Sequence, residues 1–349
     1  MRNLFLSVLF ILAAGLVTIS SISEKLFVWQ SVWALAGILL VVVFASLDLR
    51  GVLQHRWLIA GLYVGSVALL ILTYLTAPVV RNTRSWLYIG SVGFQPVELA
   101  KIALILVYAR FFSRKHLSIA RWPIILSSFF LFIVPCGLIL LQPDLGSASI
   151  LFGVWFGFLL VSGLPPKRLI AAGLTFVIVG ALGWMYFLEG YQKQRIISVF
   201  YPEQNTLTVN YSTIQSKIAI GSAGFWGKGY NQGPQTQLGF LTEPSNDFVL
   251  AALIEEWGIF IGLLVVFAFA FMIYQILRVG MRAGQNFEKF ICLGVAMVFS
   301  LHFMINAGST LGLFPVVGVT FPFLSYGGSS LLVDFALLAM VNAISLRNR

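Results

Sequence analysis

The sequence predicts an all-α integral membrane protein of about ten transmembrane helices, with a large extracytoplasmic loop between spans seven and eight. Three observations lead there. Of 349 residues, 59% are hydrophobic and only 10% charged, whereas a soluble domain carries about a quarter charged residues. Apolar runs long enough to cross a bilayer recur between charged or Pro/Gly-rich breaks. The basic residues, which make the formal net charge +10, sit in short clusters between those runs and form no single nucleic-acid-binding stripe.

The first run, near 4–22, follows Arg2 as a secretory signal would. A second span follows almost at once at 28–46 and no convincing small-x-small cleavage site comes after the first run, so the first reads as a retained signal anchor. Further runs fall near 57–77, 97–112, 123–141, 146–162, 169–188, 248–277, 288–309 and 329–345. With a cytoplasmic N-terminus, fourteen Lys and Arg fall on the cytoplasmic side and seven outside, with Lys101 inside a span. That asymmetry places both termini in the cytoplasm. Cys136 and Cys292 lie within apolar runs and read as small buried hydrophobes. Neither a P-loop nor a GxGxxG opening a helix is present, so no nucleotide is expected.

In this topology the cytoplasmic loops are short, and the unusual segments share the outer face: 81–95, 142–146, about 189–246 and 312–328. Function is therefore sought outside the membrane or at its outer leaflet. Arg81, Arg84 and Trp86 suit an interfacial anchor. Glu98 and Lys101 lie three apart on one helical face inside an apolar run. There they form either an ion pair or the wall of a polar groove that takes a charged headgroup. Gln142-Pro143-Asp144-Leu145-Gly146 is ordinary turn chemistry between helices.

The stretch from 221 to 239 is dense in glycine and holds Lys228 and several amides, with Gln215 just before it. Such a composition allows close backbone approach and hydrogen bonds to sugar hydroxyls. Ile214, Ile218, Phe225, Trp226 and Phe240 are interleaved, so the segment is expected to pack. It ends at Glu243-Pro244-Ser245-Asn246-Asp247-Phe248, where Asp247 reads locally as a helix N-cap. Glu255 and Glu256 then enter an otherwise apolar helix about 100° apart, and at least one is expected to face a cavity or a cation.

In their order these motifs resemble the SEDS family of peptidoglycan glycosyltransferases. The matching elements are Arg84-Ser85-Trp86, Phe94 to Lys101, Gln142 to Gly146, Gln215-Ser216 with Gly227-Lys228-Gly229, and Pro322 to Ser330. Length and the short N-terminus look more like the RodA elongation branch than the FtsW division branch. One departure stands out: where the family carries Pro-Glu-x-His-Thr-Asp-Phe, this chain has Thr242, Ser245 and Asn246 around retained Glu243, Asp247 and Phe248.

The resemblance implies polymerisation of lipid II at the outer leaflet of the bacterial cytoplasmic membrane, with inversion at the anomeric carbon and release of undecaprenyl pyrophosphate. It implies Asp247 as the catalytic base, with Glu243 next in line. Substrate binding falls to Arg84, Glu98, Lys101, Gln142, Asp144, Arg195, Gln215, Ser216, Lys228, Glu243 and Ser325. It also suggests a divalent cation, Mg or Mn, and a class B penicillin-binding transpeptidase as partner, since no Ser-x-x-Lys nucleophile occurs in the outer segments. Two alternatives stand beside it: a lipid-linked precursor flippase without chemistry, and a catalytically weak scaffold for a synthase partner.

Overall fold

The computed structural model describes residues 2–47, 54–80, 83–90, 92–115, 122–163, 165–186, 188–201 and 210–347. Arg81 and Asn82 of the interfacial cluster, and 202–209 of the long outer segment, lie outside the described residues. In chain order come α1 (Arg2–Ile22), α2 (Glu24–Ser46), α3 (Arg56–Thr76), a hairpin of β1 (Leu87–Ile89) and β2 (Val92–Phe94), α4 (Pro96–Lys115), α5 (Trp122–Leu141), α6 (Leu145–Val161) and α7 (Pro166–Tyr186). Three shorter helices follow: α8 (Gly190–Phe200), α9 (Tyr211–Ser222) and α10 (Pro234–Gln237). The chain closes with α11 (Val249–Arg282), α12 (Asn286–Thr310) and α13 (Gly328–Arg347).

Each of the ten predicted apolar runs coincides with one of the longer helices. Among the described residues, seven are long and apolar enough to cross a membrane: α1, α2, α3, α5, α11, α12 and α13. α4 is less apolar because Glu98, Lys101, Arg110, Arg114 and Lys115 lie on it. Its position explains that: α4 packs against α3, α5, α6, α12 and α13, so its first charged residues face protein.

The distribution of side chains is inverted relative to a soluble bundle. Leu35, Leu75, Phe130 and Phe267 are 65–70% exposed on the outside, while Gln30, Glu98, Lys101, His302, Asn306 and Asp334 are at most 6% exposed within. Lipid explains both halves, since apolar surface costs nothing there and a polar group must find its partner inside the protein.

The four segments predicted to share a face do meet at one end of the bundle. The Arg84 amide donates to the Gln142 carbonyl at 3.3 Å, and the Arg195 guanidinium reaches the Val316 carbonyl at 3.0 Å. A Cβ on Gly146 would strike the Val317 carbonyl. The end of α1 joins them, because Tyr230 Oη lies 3.1 Å from Ser20 Oγ and Gln237 donates to the Ser21 carbonyl at 3.1 Å. The opposite end is closed by Gln54, which hydrogen-bonds Gln285 at 2.8 Å and accepts from Arg110 at 2.6 Å.

The described residues of the stretch 189–246 include three helices, of which α9 packs on α11 and α12. Ala219 is fully buried there, and Leu241 and Phe248 complete a small apolar cluster with it. This second core also takes in Ala251 and Ala252, whereas Ile218, Phe225, Trp226 and Phe240, which were expected to pack, are 44–74% exposed.

Candidate functional site

The turn that carries Asp247 is held through its backbone. Three consecutive carbonyls each receive one hydrogen bond from a different source. The Tyr326 amide donates to Ser245 at 2.8 Å, Ser325 Oγ to Asn246 at 2.7 Å, and Asn306 Nδ2 to Asp247 at 3.1 Å. Ser325 is itself fixed, since its hydroxyl accepts from the Phe321 amide at 2.9 Å and its carbonyl from Gln30 at 3.0 Å. Gln30 Oε1 also accepts the Gly327 amide at 3.2 Å. Residues of α2, α12 and the 321–327 loop therefore converge on one short turn.

Both partners of this clamp include a residue in the left-handed region, Glu243 at φ +48° and Phe323 at φ +64°. Such values are uncommon for residues other than glycine and persist where surrounding contacts impose them. Within the turn, Asn246 Nδ2 donates to Glu243 Oε2 at 3.3 Å. The capping position of α11 is Phe248, with no side-chain cap hydrogen bond. Asp247 thus lies one residue outside the position that its local sequence suggested, half-buried at the mouth of the helix. Burial raises the phenol of neighbouring Tyr326 above its ordinary range, which keeps it a neutral hydrogen-bonding group.

Behind the turn, α11 is broken at Gly258, where φ is 85° and ψ 168°. The outer segment fills the break. The amides of Lys228 and Gly229 donate to the carbonyls of Glu255 and Glu256 at 2.9 and 3.0 Å. In return, the amides of Ile259 and Phe260 donate to the carbonyls of Gly224 and Phe225 at 3.1 and 3.3 Å. A Cβ on Gly227 would collide with the Glu256 carbonyl, and one on Gly258 with the Phe225 carbonyl. Glycine is required at both places by close backbone approach.

Both oxygens of Glu255 and one oxygen of Glu256 take protein partners, while Glu256 Oε2 is buried without a hydrogen-bond partner among the described residues. Glu255 Oε1 accepts the Gln235 amide at 2.7 Å, and Oε2 accepts both the amide and the hydroxyl of Thr236 at 3.0 and 2.7 Å. Glu256 Oε1 accepts Gln237 Nε2 at 3.1 Å. The two carboxylates point apart, yet both grip α10, one at its N-terminus and the other at its last residue. A helix start presents unpaired N–H groups, and that is what Glu255 satisfies.

Inside the bundle, Lys101 Nζ lies 2.8 Å from Glu98 Oε1 and 2.8 Å from His302 Nε2, and His302 Nδ1 meets the Thr320 carbonyl at 3.1 Å. Asp334 is close enough to interact electrostatically with both Glu98 and Lys101, and accepts the Phe323 amide at 3.4 Å. Glu98 and Lys101 are an ion pair with protein on every side, 5% and 3% exposed.

The other predicted site residues fall into two groups. Arg84, Arg195 and Lys228 are exposed at the shared end, Arg195 also lying over the Tyr191 ring at 5.6 Å. Gln142 and Ser216 are buried and engaged, Gln142 with the Leu70 carbonyl and Ser216 with the Thr310 carbonyl, each at 2.8 Å. Asp144 caps α6, accepting from the Ser147 amide at 3.0 Å, the Ser147 hydroxyl at 2.7 Å and Gln95 at 3.3 Å. Gln215 is half-buried beside Ser216. Gln30, His302, Asn306 and Asp334 are buried polar residues that no sequence motif had marked. A signal existed for two of them, since His302 and Asn306 stand four apart on one face of an apolar helix.

Among the described residues, no three His, Cys, Asp or Glu side chains gather to hold a metal. Glu243 and Asp247 offer two carboxylates in one turn. That donor set fits Mg²⁺, which commonly takes one or two carboxylates and completes its shell with phosphate and water.

A helical bundle, apolar outside and polar within, defines a multi-pass membrane protein, with a clamped carboxylate turn at one end as its candidate site. A family model of the FtsW, RodA and SpoVE cell-cycle proteins matches residues 1–349, and the chain belongs to that family. The peptidoglycan glycosyltransferase MrdB of Escherichia coli K12 is 35% identical over 314 residues, 88% of this chain and 82% of the relative. Peptidoglycan glycosyltransferase RodA of Treponema pallidum is 28% identical, covering 97% and 94%. Among solved structures, Thermus thermophilus rod shape determining protein RodA superposes with a TM-score of 0.75 at 26% identity, over 100% of this chain and 97% of that one. A chain from a peptidoglycan synthase complex that coordinates polymerization and crosslinking reaches 0.86 at 28% identity, over 100% and 98%.

Proposed function

We propose that the chain polymerises lipid II into glycan strands at the outer leaflet of the bacterial cytoplasmic membrane, with both termini in the cytoplasm. Peptidoglycan glycosyl transfer is the activity for which its relatives are named. The observation that carries the proposal is the placement of Asp247, on a turn held by its carbonyls, at the end of the bundle where Arg84, Arg195 and Lys228 are exposed. A carboxylate there accepts the proton of the acceptor hydroxyl as its oxygen bonds to the anomeric carbon of the lipid-linked donor. The bond from that carbon to the pyrophosphate breaks on the opposite face, so the configuration inverts and undecaprenyl pyrophosphate leaves. Arg84, Arg195 and Lys228 suit the charge of the departing group. A divalent cation held by Glu243 and the substrate phosphates would supply further neutralisation.

The flippase alternative needs polar groups that open to a path at mid-membrane. Of the residues it would use, Glu98 is bonded to Lys101, Lys101 also to His302, and Glu255 to Gln235 and Thr236. We further propose a class B penicillin-binding transpeptidase as partner, in keeping with the synthase complex in which a structural relative is found. Co-purification tests this part.

The purified chain, incubated with labelled lipid II, is expected to give a ladder of glycan products. The Asp247→Asn variant should lose roughly a hundredfold to ten-thousandfold in rate, the usual contribution of a general base, while binding lipid II as the parent does. Transbilayer movement of label without polymer would replace the enzyme by the flippase. Parent-like polymerisation by the Asn variant would remove Asp247 from the chemistry and turn attention to Glu243.

A further inference from the structure

We infer that Asn306 on α12 is a positioning residue for Asp247, an inference that rests on the catalytic assignment of Asp247 above. Its side-chain amide spends its donors on two carbonyls, Asp247 at 3.1 Å and Val319 at 2.8 Å. These belong to the two loops that meet at the site, so one side chain ties the base-bearing turn to the loop that runs on to the 321–327 clamp. Two acceptors on one nitrogen also settle which way the amide points.

Several features mark this as positioning. Asn306 is 1% exposed, and its Oδ1, equally buried, receives no hydrogen bond among the described residues. The group it holds is the carbonyl of Asp247 itself. Rotation of this peptide unit would swing the carboxylate directly, whereas the bonds to Ser245 and Asn246 restrain it only through neighbours. Proton transfer requires the carboxylate within hydrogen-bond reach of the hydroxyl, and displacement of about 1 Å is enough to slow a reaction strongly. The binding of lipid II by exposed cations does not depend on that alignment.

The test is a double-mutant cycle on the full chain with labelled lipid II. Asn306→Ala is expected to lower kcat about tenfold or more with KM within about twofold of the parent, measured well below the melting temperature of each variant. Asn306→Ser, which keeps one donor, should fall between the two and serves in place of the Ala variant if that one does not fold. In the Asp247→Asn background the same Asn306 substitution should cost no further rate, because the group it aligns is gone. A loss that multiplies with that of Asp247→Asn, or a rise in KM at constant kcat, would overturn the inference. Those results leave the role of Asp247 standing, since that is judged by the single Asp247→Asn variant.

Discussion

Glu255, buried in α11, caps α10 from outside by accepting the amide and the hydroxyl of Thr236 on a single carboxylate oxygen, Oε2, at 3.0 and 2.7 Å. With the Gln235 amide on the other oxygen, one carboxylate satisfies three donors and fixes the outer segment to the bundle. Glu255→Gln turns one oxygen into an NH₂ group facing donors. Each buried donor left unpaired costs about 1–3 kcal/mol. Thermal unfolding should show a loss of this order, and hydrogen exchange should speed up at the amides of Gln235 and Thr236. Unchanged protection at both amides would contradict the capping role.

The contact of Gly227 with Gly258 makes a second prediction. Both have positive φ and a neighbouring carbonyl in the place of a Cβ. Gly258→Ala or Gly227→Ala should expel the 224–229 segment from the helix break, and trypsin should then cut after Lys228, which is exposed but held at its amide. Gly239→Ala is the control. Its φ is 75° with nothing within 4 Å of the added carbon, so it should cost only the left-handed strain of about 1–2 kcal/mol and leave Lys228 protected.

Lys101 separates a structural ion pair from a headgroup groove. Removing one partner of a buried pair leaves an uncompensated charge and costs about 3–5 kcal/mol, whereas removing both is often nearly neutral. Lys101→Met should therefore destabilise strongly, and Glu98→Gln combined with it should recover most of the loss. If Lys101→Met unfolds like the parent and loses only lipid II affinity, the groove reading is restored.

Topology sets the side on which the site operates. With Cys136 and Cys292 replaced, a cysteine at position 228 should react with an impermeant reagent from outside intact cells and one at 167 should not. Labelling at 167 from outside would invert the whole assignment.

Most of the fold was legible in the linear sequence. Lipid demands helices of a minimum length with their backbone groups satisfied internally, so runs of apolar residues mark them almost directly. The Asp144 cap was readable for a similar reason, because turn chemistry is local. The candidate residues clustered around 243–247 were visible as well, through the order of motifs. The break at Gly258 was not, since a glycine in an apolar run looks like any other until a segment some thirty residues earlier comes to fill it.

The sequence by itself determined which apolar runs are helical, though not the helices within 189–246, which segments gather at one end, and that Glu243, Asp247 and Ser325 belong to the same motif set. Only the tertiary structure decided what those side chains do to one another. Gln30 meets Ser325 across 295 residues of chain, and Asn306 holds the Asp247 carbonyl from another helix. Periodicity and local capping report on neighbours within a few residues. A buried hydrogen bond is decided by whichever donor the packing of distant helices brings to an otherwise unsatisfied acceptor.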